Sequence, residues 1–236
     1  MGENQAFNDI FRPGWFELYV GCMSSRKSMR LLERIDQVDR CTKLKWKVFM
    51  PEINTRDNVL KSRFGGMTFP CIKIPENRPE QIFDYLDGDE KFIGFDEIGM
   101  FNKKLVEIID YLKKQGINIV GVGLNQYYNG EPFGIIPELM NISEKINILH
   151  AQCAVEGCFN AATRTQRHKR KNPDSSIFLP DDFNSPKIII EGASKERNSM
   201  GQEVDMYKYS AVCIFHHDVP NRPQINKVGV MIGERN

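Results

Sequence analysis

Three groups of residues in this 236-residue chain have the types and spacing that phosphate or metal chemistry requires. The stretch from Val20 to Ser28 contains a glycine near its start and a Lys-Ser pair at its end, and Asp96 and Glu97 are two adjacent carboxylates. In the last third of the chain, Cys153 and Cys158 precede Cys213 and two histidines. Basic and hydroxyl groups bind phosphates, carboxylates bind divalent cations, and paired thiols bind zinc.

The stretch from Val20 to Ser28 is typical of a phosphate-binding loop. It follows an apolar run, Trp15 to Val20, that predicts a strand, and it precedes a helical pattern of apolar residues from Leu31 to Val38. Backbone N–H groups at a helix start point at bound phosphates, and the macrodipole favours their negative charge. In the pattern G-x-x-x-x-G-K-[ST], the lysine reaches the terminal phosphates and the hydroxyl holds Mg²⁺. The candidate phosphate-binding residues are Gly21, Cys22, Met23, Ser24, Ser25, Arg26, Lys27 and Ser28.

One position of this loop departs from the pattern. Arg26 stands where the pattern has its second glycine, and glycine lets the backbone approach the phosphates closely. The alternative interpretation is an ordinary strand-to-helix turn in which Arg26 and Lys27 face solvent. Other parts of the chain must separate the two interpretations.

Asp96 and Glu97 follow the apolar run Lys91 to Phe95, which predicts a strand that ends in two acids. A carboxylate at such a strand end holds Mg²⁺ directly or through water. A neighbouring carboxylate at the same end can act as a general base. Two solvated acids are the alternative interpretation, and the phosphate-loop pattern upstream favours the functional one.

Two pairs of candidate zinc ligands, Cys153-x₄-Cys158 and Cys213-x₂-His216, have the spacing of structural zinc knuckles. Four such ligands complete a tetrahedron and leave no open position, so we expect a structural Zn²⁺ without a catalytic role. The ion would stabilise a β subdomain that is too small to hold a core by itself. His217 is the alternative to His216 as the fourth ligand.

Alternating strands and helices predict how these groups are positioned. Sequence patterns predict strands at residues 15–20, 45–50, 71–74, 91–95, 117–124, 145–151 and 187–190, and helices after residue 28 and at 79–86, 105–112 and 137–143. This alternation is typical of an α/β fold whose mainly parallel sheet has helices on both faces. Because ligands bind at the carboxyl ends of such strands, Gly21, Asp96 and Leu124 are expected at one edge of the sheet.

Three polar segments are interpreted as irregular. Residues 54–70 predict a loop over the nucleotide site, and residues 194–206 predict a flexible insertion. The basic run 163–171 predicts a solvated loop tip in a connector.

The composition argues against several classes of protein. A net charge of +1 gives no global attraction to nucleic acid or to membrane surfaces. No apolar run approaches the ~20 residues of a membrane-spanning helix, and the N-terminus lacks the order of a secretory signal. Cys22, Cys41 and Cys71 are interpreted as buried free thiols, as in most cytosolic proteins. We therefore expect a cytoplasmic protein without a membrane or nucleic-acid partner.

The loop, the acidic strand end and the ligand pairs together resemble the type II thymidine kinases, over residues 14 to 223. The most specific segment is Gly123–Gly134, G-L-N-Q-Y-Y-N-G-E-P-F-G, which is similar to the family pattern G-L-D-x-x-F-x-G-E-P-F-G. Other similar segments are Gly14–Leu18 (G-W-F-E-L), Pro51–Arg56 (P-E-I-N-T-R), Ser62–Gly65 (S-R-F-G), Ala162–Arg167 (A-T-R-T-Q-R) and the spacing Tyr209-x₃-Cys213-x₂-His216.

The resemblance implies ATP-dependent phosphorylation of the 5′-hydroxyl of thymidine or deoxyuridine, a salvage step that supplies DNA synthesis. By position, Glu97 would be the catalytic base, Lys27 and Ser28 would hold the phosphates and Mg²⁺, Asp96 would assist the metal, and Arg63 would contact the phosphate region. The implied substrate-binding residues are Met100, Phe101, Leu124, Tyr128 and Tyr209. The implied cofactors are Mg²⁺ with ATP and a structural Zn²⁺.

The resemblance also implies an architecture. A P-loop NTPase-like kinase domain would occupy residues 14–150, and a zinc-binding β subdomain with a lasso loop would occupy residues 151–223. The lasso would close over the thymine base, and residues 1–13 and 224–236 would be flexible termini. The family usually forms homotetramers.

Departures from the family pattern leave a second function open. Arg26 replaces a glycine, and Gly99-Met100 stands where the family motif D-E-x-Q-F-F has Gln-Phe. The alternative is a non-catalytic relative that binds nucleoside or nucleotide as a regulatory or assembly partner, with the Arg26 guanidinium in the phosphate site. A zinc-ribbon protein that binds nucleic acid through the run 163–171 is a third interpretation, which the low net charge disfavours.

Overall fold

Six parallel strands form one sheet in the computed structural model, which describes residues 13–53, 59–61, 68–188 and 194–223 of the chain. The strands of this sheet are β1 (Phe16–Gly21), β2 (Lys45–Pro51), β5 (Ile72–Ile74), β6 (Glu90–Phe95), β7 (Asn118–Leu124) and β8 (Lys145–Leu149). Between β2 and β5 along the chain, β3 (Val59–Lys61) and β4 (Thr68–Pro70) form a separate antiparallel pair. The order in the sheet is β5-β2-β6-β7-β1-β8, and all neighbours are parallel. The predicted parallel α/β sheet is confirmed.

Helices cover both faces of this sheet. They are α1 (Lys27–Cys41), α2 (Lys104–Lys114) and α3 (Ile136–Ile142), with 3₁₀ turns at Pro79–Tyr85 and Ile98–Met100. Helix α1 buries its apolar side chains against one face, whereas α2 and α3 bury theirs against the other. Leu18 and Tyr19 of β1 belong to different core clusters, because successive side chains of a strand point to opposite faces.

Helix α2 shows why the spacing of apolar residues predicted its position correctly. Its apolar residues recur at helical spacing, and Leu105, Ile108, Ile109 and Leu112 are all buried. The chain leaves the helix at Gly116, where φ is +76°, a conformation that glycine adopts without steric cost.

The C-terminal part of the chain is antiparallel. Its strands are β9 (Ala151–Gln152), β10 (Ala161–Ala162), β11 (Arg164–Arg170), β12 (Phe178–Pro180), β13 (Lys195–Arg197), β14 (Glu203–Asp205) and β15 (Tyr207–Val212). Strand β11 lies between β12 and β15, and β9-β10 and β13-β14 form two separate pairs. We call residues 151–223 the C-terminal subdomain.

The prediction of a solvated connector at residues 163–171 is wrong, because most of this run forms β11. Arg167 is fully buried, and its Nε donates to Asp181 Oδ2 at 2.7 Å. Its terminal nitrogens donate to the carbonyl oxygens of Pro186 and Lys187 at 2.7 and 3.3 Å. The guanidinium carbon lies 3.5 Å from the centroid of the Tyr128 ring. These partners compensate the buried charge.

The other irregular segments also differ from expectation. Residues 194–206 contain the antiparallel pair β13-β14, joined by a turn in which Gly201 N donates to Asn198 O. Residues 54–70 include the pair β3-β4, and positions 54–58 and 62–67 lie outside the described residues. Lys187 and Ile188 are not in a strand, and the rest of the strand predicted there lies outside the described residues. The predicted flexible termini, residues 1–13 and 224–236, also lie outside the described residues, except residue 13. In the described ranges, no helix is long and apolar enough to cross a bilayer.

Candidate active site

The predicted groups converge at the carboxyl ends of the central strands. Gly21 ends β1 and pairs in register with Leu124 of β7 on one side and with Leu149 of β8 on the other. Asp96 follows β6, and its N–H donates to Phe49 O of β2 at 2.9 Å. The phosphate-loop residues and the acidic pair therefore share one edge of the sheet, as expected from the parallel topology.

Gly21 is required by a close approach of two backbone segments. A Cβ at this position would lie 2.2 Å from Leu149 O and 2.7 Å from Ser25 Oγ, which is closer than real Cβ contacts. Any other residue would push the loop away from β8. The glycine thus has a steric reason, independent of phosphate binding.

The loop is closed by its own polar side chains. Lys27 Nζ donates to Cys22 O at 2.7 Å and to Ser25 Oγ at 3.4 Å, and Ser25 Oγ donates to Cys22 O at 2.8 Å. The ammonium group therefore lies across the loop at the start of α1. A bound polyphosphate would find a cation and a helix N-terminus in the same place.

Arg26 adopts the conformation that the missing glycine would favour. Its φ and ψ are +63° and +28°, in the left-handed region, and its side chain is exposed. Ser24 also has a positive φ, of +62°. Helix α1 begins at the next residue, Lys27. The loop therefore has the backbone turn of the pattern despite the arginine, and the strain of that turn falls on a residue with a Cβ.

The Arg26→Gly variant is expected to be more stable than the Arg26→Ala variant, whereas inside a helix glycine is less stable than alanine. The left-handed conformation costs a residue with a Cβ roughly 1–2 kcal/mol. Glycine avoids this cost, but it lowers the free energy of unfolding by roughly 0.5–1 kcal/mol because it gives the unfolded chain more conformational freedom. In urea titrations, the free energy of unfolding of the Gly variant should therefore be about 0.5–1 kcal/mol higher than that of the Ala variant. A more stable Ala variant would contradict the left-handed assignment.

Ser28 and Asp96 connect the loop to the acidic strand end. Ser28 Oγ donates to Asp96 Oδ1 at 3.1 Å, and Asp96 is 1% exposed. A hydroxyl and a carboxylate are the hard oxygen ligands that Mg²⁺ prefers beside nucleotide phosphates. This contact ties the predicted metal-binding pair together.

Glu97 lies next to this pair in an unusual backbone conformation. Its φ and ψ are +49° and +39°, and it precedes the 3₁₀ turn Ile98–Met100. Glu97 Oε2 is buried, and it has no hydrogen-bond partner among the residues that the structure describes. Strained residues and buried carboxylate oxygens without partners are concentrated at functional sites.

The two predicted ligand pairs meet in the C-terminal subdomain. Cys153 Sγ lies 3.5 Å from His216 Nδ1, Cys213 Sγ lies 3.4 Å from the same nitrogen, and Cys158 Sγ lies 3.9 Å from Cys213 Sγ. Tetrahedral zinc, with bonds of about 2.3 Å to sulfur and about 2.0–2.1 Å to nitrogen, separates two sulfurs by about 3.8 Å and sulfur from nitrogen by about 3.6 Å. The four side chains therefore fit a structural zinc ion.

His217 has a different partner. Its Nε2 lies 2.7 Å from Tyr128 O and donates to this carbonyl. Burial lowers the pKa of His217, and the Tyr128 carbonyl acts in the opposite direction. Of the two adjacent histidines, only His216 belongs to the ligand cluster.

A family model described as "Thymidine kinase" matches residues 14–217 of the chain. The chain belongs to the thymidine kinase family. Relatives named "Thymidine kinase" include that of Ureaplasma urealyticum serovar 10, 34% identical over 231 residues, which cover 96% of this chain and 92% of the relative. Those of Mycoplasma genitalium (35% over 173 residues; 72% and 78% covered) and Coprothermobacter proteolyticus (30% over 214 residues; 90% and 95% covered) are also similar.

At Gly99, where the thymidine kinase motif has glutamine, the neighbouring residues pack too closely to leave room for a side chain. A Cβ at Gly99 would lie 2.8 Å from Phe133 Cδ1 and 2.9 Å from Ile136 Cγ1. Gly134 has a positive φ of +47°, and a Cβ there would lie 1.8 Å from Gly99 O. In this member of the family, the segment from Phe133 to Ile136 therefore lies directly against the position where the motif has glutamine.

The residues that the resemblance assigns to the nucleoside have different surroundings. Leu124 and Met100 are partly buried at the edge of the core, whereas Phe101 is 2% exposed and packs edge-on against Phe95. Tyr209 remains 39% exposed on β15, and Arg63 lies outside the described residues. Leu124, Met100 and Tyr209 thus keep surface for a ligand, and Phe101 contributes mainly to the core.

Tyr128 connects the central sheet to the C-terminal subdomain. It is 3% exposed, and its hydroxyl lies 2.5 Å from the carbonyl oxygen of Asp182 and 3.0 Å from that of Ser185, so that these two acceptors share its one proton. Burial raises the pKa of this phenol, although the Arg167 guanidinium over its ring acts in the opposite direction. The hydroxyl that distinguishes it from the family's phenylalanine therefore holds residues 182–185 in place.

Two polar groups near the site were not among the predicted site residues. Thr165 Oγ1 accepts a hydrogen bond from Met23 N at 3.0 Å, from a position 142 residues away. Gln126 lies just beyond the end of β7, and its Oε1 is buried without a hydrogen-bond partner in the described ranges. Both residues lie in segments that resemble the family, Thr165 in Ala162–Arg167 and Gln126 in Gly123–Gly134, but neither stands in a ligand spacing or a strand-end motif, so local pattern assigned them no role.

Proposed function

We propose that this protein transfers the γ-phosphoryl group of ATP to the 5′-hydroxyl of thymidine or deoxyuridine, a salvage step that supplies DNA synthesis. Membership of the thymidine kinase family supports the reaction class. The observation that carries the proposal is the hydrogen bond of 3.1 Å between Ser28 Oγ and Asp96 Oδ1, which joins the phosphate loop to the strand end that bears Glu97.

The phosphate loop would bind the triphosphate of ATP. Lys27 would exchange its bond to Cys22 O for the terminal phosphates, and the N–H groups at the start of α1 would add positive potential. Ser28 and Asp96 would hold Mg²⁺, which neutralises charge on the phosphate oxygens when it is bound. Arg63 would contact the phosphate region.

Glu97 would act as the general base. Its carboxylate would accept the proton of the nucleoside 5′-hydroxyl as that oxygen forms its bond to the γ-phosphorus and the bond to the ADP oxygen breaks. Positioning and charge stabilisation carry most of the catalysis in such transfers, and the base contributes by orienting the attacking hydroxyl. The products would be the nucleoside monophosphate and ADP.

The nucleoside would lie between the strand ends and the C-terminal subdomain. Leu124, Met100 and Tyr209 would contact it, with Phe101 and Tyr128 supporting the pocket from the core. Backbone groups of the lasso, between the two ligand pairs, would hold the thymine. Zinc bound by Cys153, Cys158, Cys213 and His216 would fix the ends of the lasso without taking part in chemistry. The kinase domain would span residues 14–150 and the lasso subdomain residues 151–223, in a cytoplasmic homotetramer.

A direct assay tests this function. Purified protein with ATP, Mg²⁺ and radiolabelled thymidine should produce labelled monophosphate and an equal amount of ADP, with omission of Mg²⁺ as the control. Calorimetric binding of thymidine is measured in parallel. Binding without any product would replace the kinase with the non-catalytic alternative, and neither binding nor product would reject both.

A further inference from the structure

Four exposed apolar side chains surround the zinc-ligand cluster. Phe159 is 93% exposed, Phe215 is 83% exposed, and Ile214 and Val155 are 57% and 40% exposed. Each of these residues lies within two positions of a ligand in the chain, and the four ligand atoms lie within 4.8 Å of one another. We call these four side chains the knuckle surface. Exposed apolar groups are normal where they are scattered, whereas a group of them on one part of a surface marks an interaction site.

The backbone that carries the knuckle surface is fixed by hydrogen bonds. Cys158 N donates to Val155 O at 3.0 Å, and His216 N donates to Cys213 O at 3.1 Å, so each ligand pair encloses a tight turn. Zinc bound to the four ligands would cross-link these two turns. Because partners that are fixed before they associate lose little conformational freedom, this surface is well suited to binding.

The knuckle surface lies in segments with almost no charge, which favours a second copy of this chain as its partner. In a two-fold contact, side chains near the axis face the same side chains of the other copy, so like charges there would repel each other. Glu156 is the only Asp, Glu, Lys or Arg residue of segments 153–160 and 213–216, although these types make up 27% of the chain. By contrast, Tyr111 on α2 is 52% exposed but directly follows Asp110.

The area of the knuckle surface is also sufficient for such a contact. A buried phenylalanine contributes about 150–250 Å², so Phe159 and Phe215 together offer roughly 300–400 Å² per copy. A two-fold contact counts this area twice. Ile214, Val155 and the polar groups around them raise the total to the roughly 1,000 Å² that a specific interface buries.

We propose that the knuckle surface forms a two-fold contact between copies of this chain. Phe215 lies between the two ligands of the shorter pair, Cys213 and His216. The proposal places this side chain beside the axis, where it packs against Phe215 of the partner subunit. The contact would be one of the two-fold interfaces of the proposed homotetramer, because assemblies of identical chains are commonly built from such interfaces. The inference rests on the proposed homotetramer and not on the proposed phosphoryl transfer.

Charge substitutions at Phe215 test the contact by sedimentation velocity, which measures the mass of the assembly. Phe215→Asp and Phe215→Lys should each fall to half the wild-type mass, because each variant opposes two like charges and loses a central aromatic side chain. Loss of such a residue weakens association about 30-fold or more. An equimolar mixture of the two variants should recover the wild-type mass, since Asp then faces Lys across the axis. Tyr111→Asp makes the same kind of change at another exposed aromatic residue and should keep the wild-type mass.

The zinc content and the circular dichroism spectrum should stay unchanged in all three variants, because the substituted side chains are exposed. An unchanged mass in both Phe215 variants, no recovery in their mixture, or an equal fall in Tyr111→Asp would overturn the knuckle contact and leave the homotetramer and the kinase assignment intact. A wild-type chain that sediments as a monomer would overturn both the contact and the homotetramer, and the thymidine assay would still decide the kinase assignment.

Discussion

Glu97→Gln is expected to lower kcat for thymidine phosphorylation by roughly 10²- to 10⁴-fold, the usual contribution of a positioned general base. Glutamine keeps the shape of the side chain but cannot accept the proton of the nucleoside hydroxyl. Because Glu97 Oε2 makes no hydrogen bond within the described ranges, the substitution disrupts no observed contact of that atom. Initial rates at saturating ATP and thymidine measure the effect.

Binding and a matched variant separate this result from general damage. Lys27, Ser28 and Asp96 are untouched, so the Kd for ATP with Mg²⁺ should stay within about threefold of wild type. Glu138→Gln makes the same chemical change on α3, where the carboxylate pairs with Lys103 at 2.7 Å, and it should keep full activity. If Glu97→Gln retained a kcat within about threefold of wild type, another group would have to take the proton.

The parts of this site that lie close together in the chain could be predicted from the sequence. Strand, loop and helix follow one another from β1 to α1, and β6 runs directly into Asp96. The rule that parallel strands present their carboxyl ends at one edge then places these groups together without knowledge of any contact. The spacing also predicted the three cysteine ligands of the zinc site, whereas the choice between His216 and His217 required the structure.

The C-terminal subdomain could not be predicted in the same way, because its partners are distant and polar. Strand β11 has the sequence R-T-Q-R-H-K-R, which lacks any apolar alternation. Its buried residues are paired elsewhere: Arg167 bonds to Asp181, and Gln166 exchanges two hydrogen bonds with the backbone of Asp218, at 2.7 and 2.9 Å. A pattern of hydrophobicity reports burial only where apolar groups fill the core, so a strand buried through charge and amide pairing resembles a loop.

The adjacent residues His216 and His217 are expected to differ sharply when each is replaced by alanine. His216 Nδ1 lies 3.4–3.5 Å from two cysteine sulfurs, whereas His217 Nε2 bonds to Tyr128 O at 2.7 Å. His216→Ala should therefore reduce the zinc content, measured by plasma mass spectrometry after dialysis, from about one ion per chain to a small fraction. His217→Ala should keep the zinc.

The melting temperature should fall when zinc is lost, because the binding free energy of zinc is part of the folding free energy of such a subdomain. In a chain of this size, a loss of about 3 kcal/mol lowers Tm by about 6–12 °C, whereas one lost hydrogen bond, worth about 1 kcal/mol, lowers it by about 2–4 °C. His216→Ala should show the larger fall and His217→Ala the smaller one, with added chelator bringing wild type close to His216→Ala. Full zinc in His216→Ala, or loss of zinc in His217→Ala, would mean that the ligand set is different. Because the two substituted residues are adjacent in the chain, a difference in zinc content or Tm between the variants would reflect the geometry of the ligand cluster and not the sequence context.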